Sequence, residues 1–184
     1  MLKKNTFYSL GSNLSLAVLG FISISLVART LPLETYGIWI IYLTASSLMD
    51  MMRTGFLHSA IICFASGKEN ETGKKYIAAA WWVGILFTFC VVAVLWTARA
   101  FMQNQSNPYY YFFTYYPLLA IAGLPMGISL SVNQAKSFFH RVFWTRLLSV
   151  GGVTVLFAWF YFHPVSLDTM IWTHLGWNLF SSLL

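Results

Sequence analysis

The amino-acid sequence predicts an all-α polytopic membrane protein, a single bundle of six transmembrane helices over residues 1–184. Three observations carry this expectation. Hydrophobic residues make up 58% of the chain and charged residues only 9%, where a soluble domain carries about 25% charged residues. Six apolar segments, 8–28, 38–65, 77–98, 112–132, 142–162 and 167–184, alternate with short polar connectors, and about 20 apolar residues cross a bilayer core of ~30 Å. The basic residues are also unevenly placed. With a cytoplasmic N-terminus, Lys3, Lys4, Lys68, Lys74, Lys75, Lys136, Arg141 and Arg146 fall on the inner side, and only Arg29 and Arg99 on the outer. That is the positive-inside pattern.

The first segment follows "MLKKN" and resembles a signal peptide, but it is long, lacks an A-x-A site and precedes further spans. It reads as a retained helix. Ser9, Asn13, Ala17 and Gly20 share one face of it, which suits either close packing or a wet interior. The second segment is the longest and carries Asp50, Arg53 and His58 in its middle. The third is long enough to span a bilayer. The fourth contains "GLPMG", 123–127, where Pro125 removes a backbone hydrogen bond. Such a kink serves as a gating hinge or simply sets shape.

The stretch 133–146 alternates bases with Phe and Trp. It is either an amphipathic interfacial helix or an ordinary inner loop. The fifth segment follows it. The sixth is marginal in length and stops while still apolar, as a short span or a truncated one does. Trp39, Trp96, Trp159 and Trp172 lie near outer ends, and Trp81, Trp82 and Trp144 near inner ones, the places of aromatic belts.

Several function classes find no support. The net charge of +6 is scattered over span ends, which gives nothing for nucleic acid to bind. Cys63 and Cys90 lie inside apolar runs and read as packing residues. No paired carboxylates, Ser-His-Asp set or metal-ligand cluster is visible, so no cofactor, metal or enzymatic activity such as sugar polymerisation or acyl transfer is expected.

Arg53 is the unusual residue. It lies about 22 and 18 Å of helix from the two ends of its segment, near mid-membrane. An arginine there costs about 2.5–3.5 kcal/mol on insertion scales and normally faces a protein interior or a water-filled cavity. Asp50, three residues earlier, shares its face and can pair with it. Two readings follow. Either the pair neutralises itself and fixes packing, or Arg53 offers its phosphate-matching fork to an anion in a cavity while Asp50 positions it. His58, about 80° round the helix from Asp50, borders the same region.

The opening stretch, 2–66, with "ARTLPLETYGIW" and a long second span bearing Gly55, resembles the start of polysaccharide-export and O-antigen flippases. These belong to the multidrug/oligosaccharidyl-lipid/polysaccharide (MATE-like) flippase superfamily. The resemblance implies roughly twelve to fourteen helices in two lobes that open alternately to each side of the bacterial cytoplasmic membrane. It implies a substrate too, an oligosaccharide on undecaprenyl pyrophosphate, with membrane lipids around the bundle and a second six-helix lobe as partner. In related lipid II flippases cavity arginines hold the pyrophosphate. That role carries over to Arg53, and more weakly to Arg29 at the outer end of the first span. The chain supplies one lobe only, so it is expected to be a fragment or a half-transporter. The alternatives are a cation-coupled drug exporter of the same fold, in which Asp50 is indispensable, and a bundle without transport.

Overall fold

A computed structural model describes residues 2–67, 71–101, 108–163 and 165–183, with the backbone alone for 2–5. Six helices follow in order: α1 (Leu2–Thr30), α2 (Leu33–Ala65), α3 (Glu71–Ala100), α4 (Tyr110–Ala135), α5 (Phe139–Phe162) and α6 (Leu167–Ser182). The first five each contain one of the apolar runs, α6 covers most of the sixth, and there is no strand among the described residues. α1 from Thr6 onward, α3, α4 and α5 are each long and apolar enough to cross a membrane. α2, at 33 residues, is long enough, but Asp50, Arg53 and His58 lower its hydropathy. α6 spans 16 residues.

The helix ends follow local chemistry. Pro32, which has no N–H to leave orphaned, precedes α2, and Glu34 lies in its first turn. Ser166 caps α6, its hydroxyl accepting from the Thr169 N–H. α4 ends in a Schellman turn. The Phe138 N–H donates to the Asn133 carbonyl at 2.8 Å and the Ser137 N–H to the Gln134 carbonyl at 2.9 Å. Ser137 takes the left-handed conformation, φ 59°, usually left to glycine.

α4 is the hub, packed on α2, α3 and α6 and, less extensively, on α5. α1 leans mainly on α5 and scarcely touches α2. Two apolar layers result. One gathers Val27, Trp39, Tyr42, Leu95, Tyr116, Phe157 and Ile171. The other gathers Leu57, Ile61, Ala80, Leu124 and Ile128 at the opposite end of α2, α3 and α4. Along α2, Arg53 falls between the two layers; along α3, Thr88 does. Apolar contact between helices gains little in lipid, whose tails are equally apolar, so packing and buried polar bonds hold such a bundle.

Three expectations change here. Trp39 is 1% exposed, not a belt residue, because α5 and α6 close over it with Phe157 and His174. Trp82, Trp96, Trp144, Trp159 and Trp172 are exposed. The stretch 133–146 is no separate interfacial helix, since its tight turn places Arg141 and Arg146 within α5. On α1 the buried positions are Ser12, Ser23 and Val27, whereas Asn13 and Ala17 are exposed. Lys68 and the Lys3 and Lys4 side chains lie outside the described residues.

Candidate functional site

The α2 positions 46, 53, 57 and 61 are buried and recur at helical spacing. They turn one face to α3 and α4, with Asp50 at its edge. On that face the Arg53 side chain is 2% exposed and Asp50 37%. The guanidinium donates from Nη2 and Nε to the same carboxylate oxygen, Asp50 Oδ1, at 2.8 and 3.3 Å. Its Nη1 donates to Thr88 Oγ1 of α3 at 3.0 Å. From α4, the Tyr116 hydroxyl donates to Asp50 Oδ1 at 3.1 Å. Gly123 lies on the Nη2 side; even an added Cβ there stays 3.7 Å from that nitrogen. The Thr54 hydroxyl donates to the Asp50 carbonyl at 2.6 Å.

This network explains how a cation survives here. A buried charge is tolerated only with a close counter-charge and hydrogen bonds for its remaining donors. Asp50 supplies the first, Thr88 part of the second. Sequence spacing foresaw the pair and left open whether it fixes packing or faces a cavity. In this bundle the guanidinium faces the α2–α3–α4 contact, and the partly open member is Asp50. Among the described residues Asp50 Oδ2 takes no protein hydrogen bond, so its acceptor capacity is not used up.

His58 is half-buried on the neighbouring strip of α2. Its Nδ1 lies 2.9 Å from Ser131 Oγ, which donates to the Gly127 carbonyl at 2.8 Å. With the serine proton on that carbonyl, the matching His58 tautomer donates from Nδ1 to Ser131 Oγ. Arg29 and Pro125 do not join this site. Arg29 is exposed in the last turn of α1, favourable there for the helix dipole. About 30 Å of helix separates the start of α2 from Arg53. Pro125 borders an apolar groove between α4 and α6, with Leu118, Ile121, Trp172 and Leu179, and α4 continues through it and through the buried Pro117.

Sequence reasoning missed Thr88, Tyr116 and His174. Thr88 is one of two threonines in an apolar run, and Tyr116 one tyrosine among several; only the register of α2 against α3 and α4 selects them. His174 stands edge-on to Trp39 and Tyr42. Its Nδ1, the Tyr42 hydroxyl and the Ser46 hydroxyl are buried without hydrogen-bond partners. No group of three His, Cys, Asp or Glu that could hold a metal occurs among the described residues.

Compared with known proteins, residues 2–184 match the family model described as polysaccharide biosynthesis protein. No curated protein and no solved structure matches the chain.

Proposed function

The chain belongs to the polysaccharide biosynthesis protein family, and from that premise we propose that it forms one lobe of a flippase. Its cargo is an oligosaccharide linked to undecaprenyl pyrophosphate, carried across the bacterial cytoplasmic membrane for surface-polysaccharide synthesis. The N-terminus is cytoplasmic, as the basic residues suggest. The family match over nearly the whole chain carries this reading, and the charged layer inside an otherwise apolar bundle supports it. Alternating access needs two bodies rocking about a midplane site, so a second six-helix lobe faces this one.

In the state described here Arg53 is latched. Asp50 occupies the Nε/Nη2 edge that a diphosphate would use, and Thr88 holds Nη1. Cargo engages when its phosphate oxygens replace the carboxylate on that edge, which arginine's planar fork suits better than lysine's point charge. The test is surface polysaccharide in cells that depend on this gene. Arg53→Ala is expected to abolish export with the protein still in the membrane, and Arg53→Lys to restore little. Full export with Arg53→Lys refutes the bidentate role.

A second reading, cation-coupled drug export, is favoured by one observation: Asp50, not Arg53, keeps an accessible face. It predicts that Asp50→Asn abolishes cationic dye efflux while Arg53→Lys spares it.

A further inference from the structure

A second arginine sits in the opposite electrostatic situation. Arg146, in the second turn of α5, is half-buried, and its one recorded hydrogen bond is a long one, Nη1 to Asn13 Oδ1 of α1 at 3.3 Å. No carboxylate among the described residues pairs with it. The ion pairs among the described residues are Arg53–Asp50 and Lys74–Glu71, and α1, α4 and α5 contain no acidic residue at all.

Arg146 lines a cavity of about 240 Å³ with Ser9, Ser12 and Asn13 of α1 and Gln134 of α4. That is room for several ordered waters. Ser12 is 3% exposed, yet its hydroxyl has no hydrogen-bond partner. A cation without a counter-charge, an orphaned buried hydroxyl and two amide side chains therefore converge on one polar hollow. The cavity lies where α1 and α5 begin and α4 ends. Ser9 and Asn13, whose face suited either packing or water, border the hollow.

A half-buried guanidinium with unfilled donors is stabilised by an anion, and its fork matches phosphate oxygens. We propose that this hollow is a binding site for a phosphate-class anion, held by Arg146 with Ser12, Asn13 and Gln134. The site is separate from the Arg53 network and differs from it in kind: Arg53 carries its own counter-charge, Arg146 takes its anion from outside. The ligand chemistry is that of a phosphate ester or diphosphate. Its source is the diphosphate of the proposed cargo or the headgroup of an anionic lipid; only the first of these rests on the flippase reading.

The test uses the purified chain in phosphatidylcholine nanodiscs, with inorganic pyrophosphate followed by calorimetric titration. Wild-type protein is expected to bind, and Arg146→Gln to weaken binding about tenfold or more, as charge-assisted hydrogen bonds are lost. Arg146→Lys is expected to weaken it less and guards against a folding artefact. Arg141→Gln, on α5 outside this hollow, is expected to bind as wild type does. In a second arm, nanodiscs containing spin-labelled phosphatidylglycerol report lipid held at the protein. Enrichment lost in Arg146→Gln, without pyrophosphate binding, assigns the site to a headgroup. Pyrophosphate and lipid results that are identical in wild type and Arg146→Gln overturn the proposal, leaving Arg146 as a packing residue for Asn13. Translocation is read separately, on export in cells, so failure of either idea leaves the other standing.

Discussion

The asymmetry of the Asp50–Arg53 pair makes a quantitative prediction. Both members are neutralised in turn by near-isosteres, Asp50→Asn and Arg53→Met. In Asp50→Asn the guanidinium remains, 2% exposed, with no counter-charge. Breaking a buried pair in this way costs about 3–5 kcal/mol. In Arg53→Met the remaining carboxylate is 37% exposed, keeps the Tyr116 hydroxyl bond and can draw on water. The Thr88 hydroxyl loses one partner, at about 1–3 kcal/mol if it stays unsatisfied. That loss is partly offset because the methionine fills an apolar-walled space, so the total is about 1–2 kcal/mol. The double variant contains no unpaired charge and is expected to recover part of the Asp50→Asn loss. Two charges near 4 Å interact by about 4 kcal/mol at an effective dielectric of 20, and the exposure of Asp50 reduces the expected coupling to about 2 kcal/mol. The assay is reversible unfolding in mixed micelles with a full double-mutant cycle. If Arg53→Met costs as much as Asp50→Asn, the guanidinium is not the sealed member, and the account of the site fails.

Two further outcomes test the packing. Gly152→Ala is expected to destabilise the protein by about 1–3 kcal/mol through overpacking, because a Cβ at that position overlaps the Trp177 indole, which donates from Nε1 to the Ser149 carbonyl at 2.8 Å; a blue or red shift of tryptophan emission and a lower Tm report it, and an unchanged Tm refutes the contact. Ser137→Gly is expected to raise stability by about 0.5–1 kcal/mol, since glycine adopts the positive φ of the α4–α5 turn without the steric cost serine bears there; thermal unfolding checks the sign, and a lower Tm refutes the assignment of that turn.

Much of the architecture was readable because lipid and a helix impose one-dimensional rules. Apolar length locates the helices, and three-residue spacing pairs Asp50 with Arg53, both properties of a single strand of sequence. What was not readable depends on how helices meet. Trp39 looked like a belt residue because belts and cores use the same side chain; only the arrival of Phe157 and His174 decides between them. Thr88 became a ligand of Arg53 through the register of α3 on α2, which no local pattern encodes. The α4–α5 turn was hidden for a different reason. Its left-handed residue is Ser137, not the glycine or asparagine that normally announces such a turn.

The two arginines show how a charge inside a bundle can be interpreted. At Arg53 the helix itself supplies a carboxylate three residues away, and neighbours on α3 and α4 complete the shell. Removing Asp50 then disturbs the fold first, whereas removing Arg53 leaves a part-exposed carboxylate and disturbs it much less. At Arg146 none of the three surrounding helices offers an acid, so the described residues leave the cation under-satisfied. A group retained in that condition gains its stabilisation from whatever occupies the hollow. It follows that added anion should stabilise the folded chain through Arg146 and not through Arg53 while the latch stays closed. An anion-dependent stabilisation that survived Arg146→Gln but vanished with Arg53→Met would reverse the roles assigned to the two residues.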